Sequence, residues 1–236
     1  MSHPSMTQLR DGYTAVVFGA SGAIGSAFVA HLQRDPRCQR VIGLSRQSTP
    51  RIDLDDESLL ENAAAAVAAH GPLHLVLDAT GTLMPDGHAP EKRLDDLTPN
   101  ALARAFALNA TGPALLLKHF GPLLATGERV VWGKLSARVG SIADNRKGGW
   151  YGYRASKAAL NMLLQCTAIE WARRRPLAVV AALQPGTVRS RLSAPFVGSQ
   201  ADDPAEAAAR LLRVLDALPP QPHAHFVDHR GEVVPW

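Results

Sequence analysis

The stretch Thr14-Ala-Val-Val-Phe-Gly-Ala-Ser-Gly-Ala-Ile-Gly25 decides the fold of this chain. Its first five residues form an apolar run rich in strand formers, and three glycines follow. A helical pattern then extends from about Ala23 to Arg34, where Pro36 stops it. A strand, a glycine turn and a helix in this order are typical of a site where a dinucleotide pyrophosphate approaches a helix N-terminus. Such glycines also occur for packing alone, so the rest of the sequence has to support the hypothesis.

Strands and helices alternate along the rest of the chain. Apolar runs predict buried strands at 41–44, 73–77, 129–135, 177–183 and 225–227. Helical patterns lie between them at 58–69, 98–124, 153–175 and 204–217, and Gly112-Pro113 is expected to bend the second of these. We therefore expect a single doubly wound α/β domain of the Rossmann type over residues 1–236, with a mostly parallel sheet of six to seven strands.

One connection is too short for this pattern. If Ser45-Arg46 closes the second strand, only five residues, Gln47 to Arg51, separate it from a possible third strand at 52–54. A parallel crossover normally needs a dozen residues or more. Either a crossover helix has been lost or the third strand is vestigial.

Composition excludes several classes of protein. The chain has 236 residues, of which 46% are hydrophobic and 19% charged, which is ordinary globular usage and excludes disorder, collagen and coiled coils. The net charge of +4 is scattered, so we expect no nucleic-acid partner. We also expect no membrane span, no metal site and a cytoplasmic location, because the apolar runs are short and Met1–Pro4 lacks a signal-peptide core. Cys38 and Cys166 read as buried packing residues.

The glycine spacing and the motif Tyr153-Arg-Ala-Ser-Lys157 together resemble the classical short-chain dehydrogenase/reductase family over nearly the whole chain. The stretch 135–161 resembles the C-factor-like branch of that family, which includes the Sniffer-type carbonyl reductases. The resemblance implies a hydride transfer between NAD(P)(H) and a small carbonyl or alcohol substrate. It also implies a homodimer or homotetramer built on the long helices, and Trp171 suits such an interface.

Tyr153 and Lys157 are four residues apart on a predicted helix and therefore share a face. The resemblance implies that Tyr153 donates the proton and that Lys157 holds the nicotinamide ribose. The ammonium of Lys157 should lower the pKa of the Tyr153 phenol toward the working range. Asn109 is expected to hold a water that connects Lys157 to solvent, and the alternative is that it stabilises the bend before Gly112.

The position that holds the carbonyl-orienting serine in this family is not a serine in this chain. Ala137 stands where many relatives carry serine, which leaves Ser136 and Ser141 as candidates. Neighbours on a strand face opposite sides, so Ser136 should point away from the site and we favour Ser141 as catalytic. The alternative is that both are loop caps and the site has no serine.

The expected cofactor site combines the glycine turn with the ends of later strands. Its predicted members are Gly19, Ser21, Ala23, Ile24, Gly25, Ser45, Arg46, Asp53, Leu54, Ala79, Thr80, Gly81, Asn109, Tyr153, Lys157, Pro185, Gly186 and Val188. An acid normally follows the second strand in NAD enzymes, but this chain has Ser45-Arg46 there, so NADP(H) is favoured over NAD(H). The alternative for Arg46 is a solvated loop arginine.

Two other functions stay open. A cofactor-binding signalling protein of the C-factor type with little turnover would fit Ala137 and Asp78-Ala79, which stand in place of the family's two asparagines. An oligomeric scaffold would need no cofactor at all. Residues 189–203 are expected to form a mobile lid over the substrate pocket.

Overall fold

The computed structural model describes residues 6–190 and 201–236. Six strands form one parallel sheet: β1 (Tyr13–Phe18), β2 (Cys38–Leu44), β3 (Leu75–Asp78), β4 (Val130–Leu135), β5 (Ala178–Gln184) and β6 (His225–Asp228). The helices are α1 (Ala23–Gln33), α2 (Glu57–Ala68), α3 (Pro99–Phe106), α4 (Gly112–Phe120), α5 (Tyr151–Ala172) and α6 (Pro204–Ala217). The strand order is β2-β1-β3-β4-β5-β6, and every neighbouring pair is parallel. The doubly wound α/β fold is confirmed.

The possible third strand at 52–54 is not part of the sheet. Asp53 forms only an isolated bridge to Asp56, which closes a tight turn before α2. The crossover from β2, which is the edge strand of the sheet, instead runs through α2 to β3 on the other side of β1. The sheet therefore has six strands, at the lower end of the expected number.

Helices cover both faces of the sheet. The buried side chains of α2, α4 and α5 form one core cluster, and those of α1 and α6 form the other. Phe18 packs edge-to-face on Phe120 in the first cluster, with ring centroids 4.6 Å apart. These two cores hold the carboxyl ends of the strands at one edge of the sheet.

Trp171 belongs to the first core cluster, so its predicted place at an interface is wrong. Its side chain is only 8% exposed, and its ring lies 5.7 Å from that of Trp132 on β4. The aromatic surface is buried within the chain because this face of α5 packs on the sheet. Cys166 is likewise exposed instead of buried, while Cys38 is half-buried, and both are free thiols.

The predicted long helix at 98–124 is interrupted before Gly112. Residues Ala107–Thr111 form a wider turn with π-helical hydrogen bonds between α3 and α4. Pro113 has no N–H to donate to the carbonyl of Asn109, so the regular i→i+4 pattern cannot continue through this point. The irregular turn places Asn109 against the end of β3.

Within the described ranges, no helix is long and apolar enough to cross a membrane. The same part of the chain contains no cluster of three or more metal-ligating side chains.

Candidate functional site

The glycine turn after β1 brings three backbone segments unusually close together. Gly19 has φ +73°, and a Cβ there would lie 3.0 Å from the backbone carbon and oxygen of Ala79. A Cβ on Gly25 would lie only 2.1 Å from the carbonyl oxygen of Gly19. The N-cap residue of α1 is Gly22, which has no side chain to cap the free N–H groups at the start of the helix. The first turn of α1 also contains no acidic residue. The exposed N–H groups and the helix dipole can therefore receive an anion.

A cavity of about 500 Å³ lies beside this turn. Nine of the predicted cofactor residues line it: Gly19, Ser21, Ser45, Arg46, Asp53, Leu54, Ala79, Thr80 and Gly81. The prediction missed Gly22, Ile52, Asp55, Thr82, Met84, Asp86, Arg104 and Leu108, which also line it. A glycine cradle next to a cavity of this size fits a dinucleotide, since the chain supplies both the close approach and the anion-binding helix end.

The other predicted cofactor residues lie outside that lining. Ala23, Ile24 and Gly25 begin α1, where they pack or shape the turn. Pro185, Gly186 and Val188 follow β5, and Gly186 has φ +81° and contacts His229. Val188 is bridged to Asp202. Of the expected lid, residues 191–200 lie outside the described residues.

Asn109 joins the turn after β3 to α5. Its side-chain oxygen accepts from the backbone N–H of Thr82 at 2.8 Å, and its amide nitrogen donates to the Thr82 carbonyl at 2.9 Å and to the Ser156 hydroxyl at 3.2 Å. The side chain is fully buried. Both ends of the amide therefore hold neighbouring elements in place.

Lys157 and Tyr153 lie next to this asparagine. The Lys157 ammonium is 5.7 Å from the centroid of the Tyr153 ring and donates to the carbonyl of Leu135 at 3.1 Å. A Cβ on Gly81 would meet Asn109 Oδ1 at 3.0 Å and Lys157 Nζ at 3.4 Å. The structure thus gathers Tyr153, Lys157 and Asn109 around Gly81, although Tyr153 and Lys157 lie on α5 and Asn109 lies in the turn between α3 and α4.

Burial governs the titration of the Tyr–Lys pair. Desolvation raises the pKa of Tyr153 to about 12. Desolvation, with the charge of Lys134 second, lowers the pKa of Lys157 to about 7, although Asp78 opposes this shift. The expectation that Lys157 lowers the pKa of Tyr153 is not met, because burial dominates and Lys157 itself loses charge near neutrality. Tyr153 therefore keeps its proton at pH 7.

The hydroxyl groups of both candidate serines form hydrogen bonds to structural groups of the protein. The Ser141 hydroxyl accepts from the backbone N–H of Asp144 at 3.0 Å and donates to the Trp236 carbonyl at 3.4 Å. The Ser136 hydroxyl donates to Asn161 Oδ1 at 2.7 Å. These contacts correspond to the alternative in which both serines are structural caps.

A second cavity of about 360 Å³ opens beside Tyr153 and Asn109. Its other lining residues are Leu83, Pro85, Asp86, His88, Ala89, Pro90, Glu91, Thr98, Asn100, Ala101, Arg104 and Ala105. Asp86 and Arg104 line both cavities, and Arg104 pairs with Asp86 at 2.9 Å and with Asp55 at 2.7 Å. A small molecule in this cavity would lie close to the Tyr153 side chain.

Glu91, which sequence reasoning missed, fixes the start of α5. Its carboxylate accepts from the backbone N–H of Gly152 at 3.1 Å, and its carbonyl accepts from the N–H of Trp150 at 2.5 Å. Gly148, Gly149 and Trp150 all have positive φ, between 53° and 63°. These three left-handed residues directly precede α5 and so fix the position of its first turn, which contains Tyr153. No sequence signal could have found Glu91, which lies 61 residues from its partner.

Lys134 is a further residue that the sequence prediction missed. It is buried on β4 and donates to Asp78 Oδ1 at 3.0 Å and to the Thr80 carbonyl at 2.7 Å. A lysine inside an otherwise apolar strand was the available signal, since an unpaired buried charge is too costly to occur without a partner.

Comparison with known proteins identifies the family. The family model described as enoyl-(acyl carrier protein) reductase matches residues 15–218. The chain is 35% identical over 144 residues to the C-signal of Myxococcus xanthus, covering 61% of this chain and 83% of that protein. It is 30% identical over 189 residues to 1-hydroxy-2-glutathionyl-2-methyl-3-butene dehydrogenase of Rhodococcus sp. strain AD45, covering 79% of each.

Solved structures agree with this relationship. A putative short-chain dehydrogenase/reductase from Burkholderia multivorans with bound NADP superposes with a TM-score of 0.80 and 25% identity, covering 95% of this chain and 99% of that one. The chain therefore belongs to the classical short-chain dehydrogenase/reductase family.

Proposed function

We propose that this protein is an NADP(H)-dependent oxidoreductase that interconverts a small carbonyl compound and its alcohol. The observation that carries the proposal is the position of Tyr153, which lines a cavity of about 360 Å³ and lies next to Lys157 and Asn109. Lys157 and Asn109 meet at Gly81, two residues after Ala79, whose backbone touches the glycine turn at Gly19. The family relationship and the NADP-bound relative support it. We propose that the substrate is a small molecule and that the protein binds neither nucleic acid nor a membrane.

The cofactor would be held by the glycine turn, the strand ends and the loop after β5. When bound, it supplies the hydride for the carbonyl carbon. Tyr153 then donates its phenolic proton to the substrate oxygen, for which its raised pKa keeps the proton available at neutral pH. Lys157, with a pKa near 7, can return a proton toward Tyr153. Asn109 holds the Thr82 backbone, and any water relay would use its main-chain carbonyl, which Pro113 cannot engage.

Steady-state oxidation of NADPH with a panel of aldehydes, ketones and quinones tests this function. A second candidate function is a cofactor-binding signalling protein, which is favoured by the similarity to the C-signal and by the two occupied serines. Tight NADPH binding without turnover of any panel member would support the signalling function. Turnover of one class above the rate without protein would support the oxidoreductase.

We expect neither serine substitution to change kcat/KM by more than about threefold, because each hydroxyl is committed to a structural hydrogen bond. The structure thus favours a site without a carbonyl-orienting serine. Ser141→Ala and Ser136→Ala are compared in steady-state kinetics, with unfolding midpoints as the control for the lost hydrogen bonds. A loss of more than tenfold in Ser141→Ala alone would restore Ser141 as a catalytic residue.

NADPH is expected to bind about tenfold tighter than NADH. Arg46 is exposed at the rim of the larger cavity, where its planar guanidinium can reach a 2′-phosphate, and Ser45 stands beside it in place of an acid. Because the contact is exposed, the preference should lie near the low end of the ~1.5–3 kcal/mol expected for a charge-assisted hydrogen bond and should weaken with salt.

Fluorescence titration of both reduced cofactors measures this preference. Arg46→Ala should bring the two affinities together, whereas Arg40→Ala, which removes an exposed arginine from β2, the strand that Arg46 follows, should leave the ratio unchanged. An unchanged ratio in Arg46→Ala would show that Arg46 does not bind the phosphate.

We further propose a homo-oligomer and a cytoplasmic location. Met162 and Ile169 are seven residues apart on α5 and expose apolar side chains, 63% and 43% of their surface, so they are the proposed contact face. Light scattering of the purified protein tests the assembly. The two free thiols are compatible with a reducing compartment.

A further inference from the structure

A buried ion pair lies under the turn that joins the two cavities. Lys134 on β4 and Asp78 at the end of β3 are each 1% exposed and are 3.0 Å apart. Asp78 Oδ1 also accepts from the backbone N–H of Thr80 at 2.9 Å, and Lys134 donates to the Thr80 carbonyl at 2.7 Å and to its hydroxyl at 3.2 Å. Both charges therefore hold Thr80, which lines the larger cavity.

The Lys134–Asp78 ion pair is incompletely hydrogen-bonded, so a contribution to stability alone does not explain it. All the hydrogen bonds to the Asp78 carboxylate go to Oδ1, while Oδ2 is buried and has no partner among the described residues. Burying two ions is costly, and an apolar pair of similar size often stabilises a protein as well or better. The charges are therefore better explained by what they do to a neighbouring group.

That neighbour is Lys157. Its ammonium donates to the carbonyl of Leu135, the residue after Lys134, and lies 3.4 Å from the position of a Cβ on Gly81, the residue after Thr80. The two lysines thus approach the same pair of backbone segments from β4 and from α5. The charged groups acting on Lys157 are Lys134 and Asp78, and the aromatic ring of Tyr153 faces it from its own helix.

We propose that Lys134, fixed by Asp78, is a positioning residue that places a second cation near Lys157 and so makes Lys157 a reversible proton carrier for Tyr153. The proposal rests on the function proposed above. Burial lowers the pKa of Lys134 as well, but the Asp78 carboxylate that it hydrogen-bonds opposes this shift at 3.0 Å. Lys157 hydrogen-bonds to the carbonyl of Leu135 and, among the described residues, has no carboxylate in direct contact. The repulsion between the two ammonium groups therefore lowers mainly the pKa of Lys157, which releases its proton first as the pH rises.

The consequence for the reaction is a proton donor, Tyr153, with a group beside it, Lys157, that can reprotonate it. In the reducing direction the Tyr153 phenol loses its proton to the substrate oxygen, and the Lys157 ammonium replaces that proton. A lysine with an ordinary pKa, about 10.4, would return the proton to the Tyr153 phenolate with a smaller driving force. Without Lys134, the Asp78 carboxylate would instead stabilise the Lys157 ammonium, and proton return would become slower.

The test follows Lys157 directly, without substrate or cofactor. Protein labelled with ¹³C at the lysine Cε is titrated by NMR, and the Lys157 signal is assigned from its loss in Lys157→Met. Lys134→Gln removes the charge but keeps an amide that can donate to Asp78 and Thr80. Lys134→Met removes both, and Lys134→Arg keeps the charge as the matched control.

We expect the Lys157 midpoint to rise by ~1 pH unit or more in Lys134→Gln and Lys134→Met, and to stay within about 0.3 unit of wild type in Lys134→Arg. If Lys134→Met does not fold, because Asp78 is left without its cation, Lys134→Gln decides the question. An unmoved midpoint in Lys134→Gln would overturn the proposal, even if NADPH affinity fell, because Lys134 would then only shape the turn.

This readout does not depend on catalysis. If no carbonyl compound is reduced, the proposed function fails while the NMR titration still decides the effect of Lys134 on Lys157. If a substrate is found, the pH dependence of kcat/KM in Lys134→Gln should move in the same direction as the midpoint. A profile that stayed in place while the midpoint moved would show that Lys157 does not carry the proton.

Discussion

Replacing Tyr153 with phenylalanine is expected to lower kcat by about 10²–10⁴-fold, the usual contribution of a general acid. The substitution removes only the phenolic hydroxyl, which is protonated at neutral pH because burial raises the pKa of Tyr153 to about 12. The ring contact with Trp150 at 6.4 Å should remain, so the start of α5 should keep its structure.

The measurement compares kcat with the dissociation constant of NADPH. We expect cofactor affinity within about threefold of wild type, because Tyr153 lines the smaller cavity and not the larger one beside the glycine turn. Tyr151→Phe is the matched control, since it removes a hydroxyl two residues earlier on the same helix. A Tyr153→Phe variant that kept more than about a tenth of the wild-type kcat would exclude Tyr153 as the proton donor.

The second large effect is expected at the glycine turn. In Gly25→Ala the new methyl group would lie 2.1 Å from the carbonyl oxygen of Gly19 and 2.8 Å from its carbonyl carbon. These are backbone atoms, so the turn itself must move. We expect NADPH affinity to fall at least tenfold and the free energy of unfolding to fall by about 1–3 kcal/mol, as for other overpacked sites.

Gly22→Ala is the matched control in the same turn. A methyl group there meets one atom, the Gly19 oxygen, at 3.2 Å, so a small adjustment can accommodate it. Its effects on affinity and stability should both be smaller than those of Gly25→Ala. Equal losses in the two variants would mean that the turn requires glycine for access of the ligand and not for the close packing of α1 on β1.

The sequence by itself determined the fold class and the location of the glycine turn. Apolar runs and helical patterns depend on neighbours along the chain, and these predicted the alternating elements and the parallel sheet. The four-residue spacing of Tyr153 and Lys157 also guaranteed a shared helix face, and the structure brings both to Gly81. Local spacing was sufficient because each of these features lies within one element or one turn.

Only the tertiary structure decided which polar groups meet across the sheet. The Lys134–Asp78 pair joins residues 56 positions apart, and Glu91 caps a helix that begins 60 residues later. The same cause explains the serines: the alternation of strand neighbours predicted that Ser136 points away and left Ser141 as the favoured residue, but the Ser141 hydroxyl donates to the carbonyl of Trp236. Long-range hydrogen bonds form only after the strands have set the backbone, so no periodicity in the sequence records them.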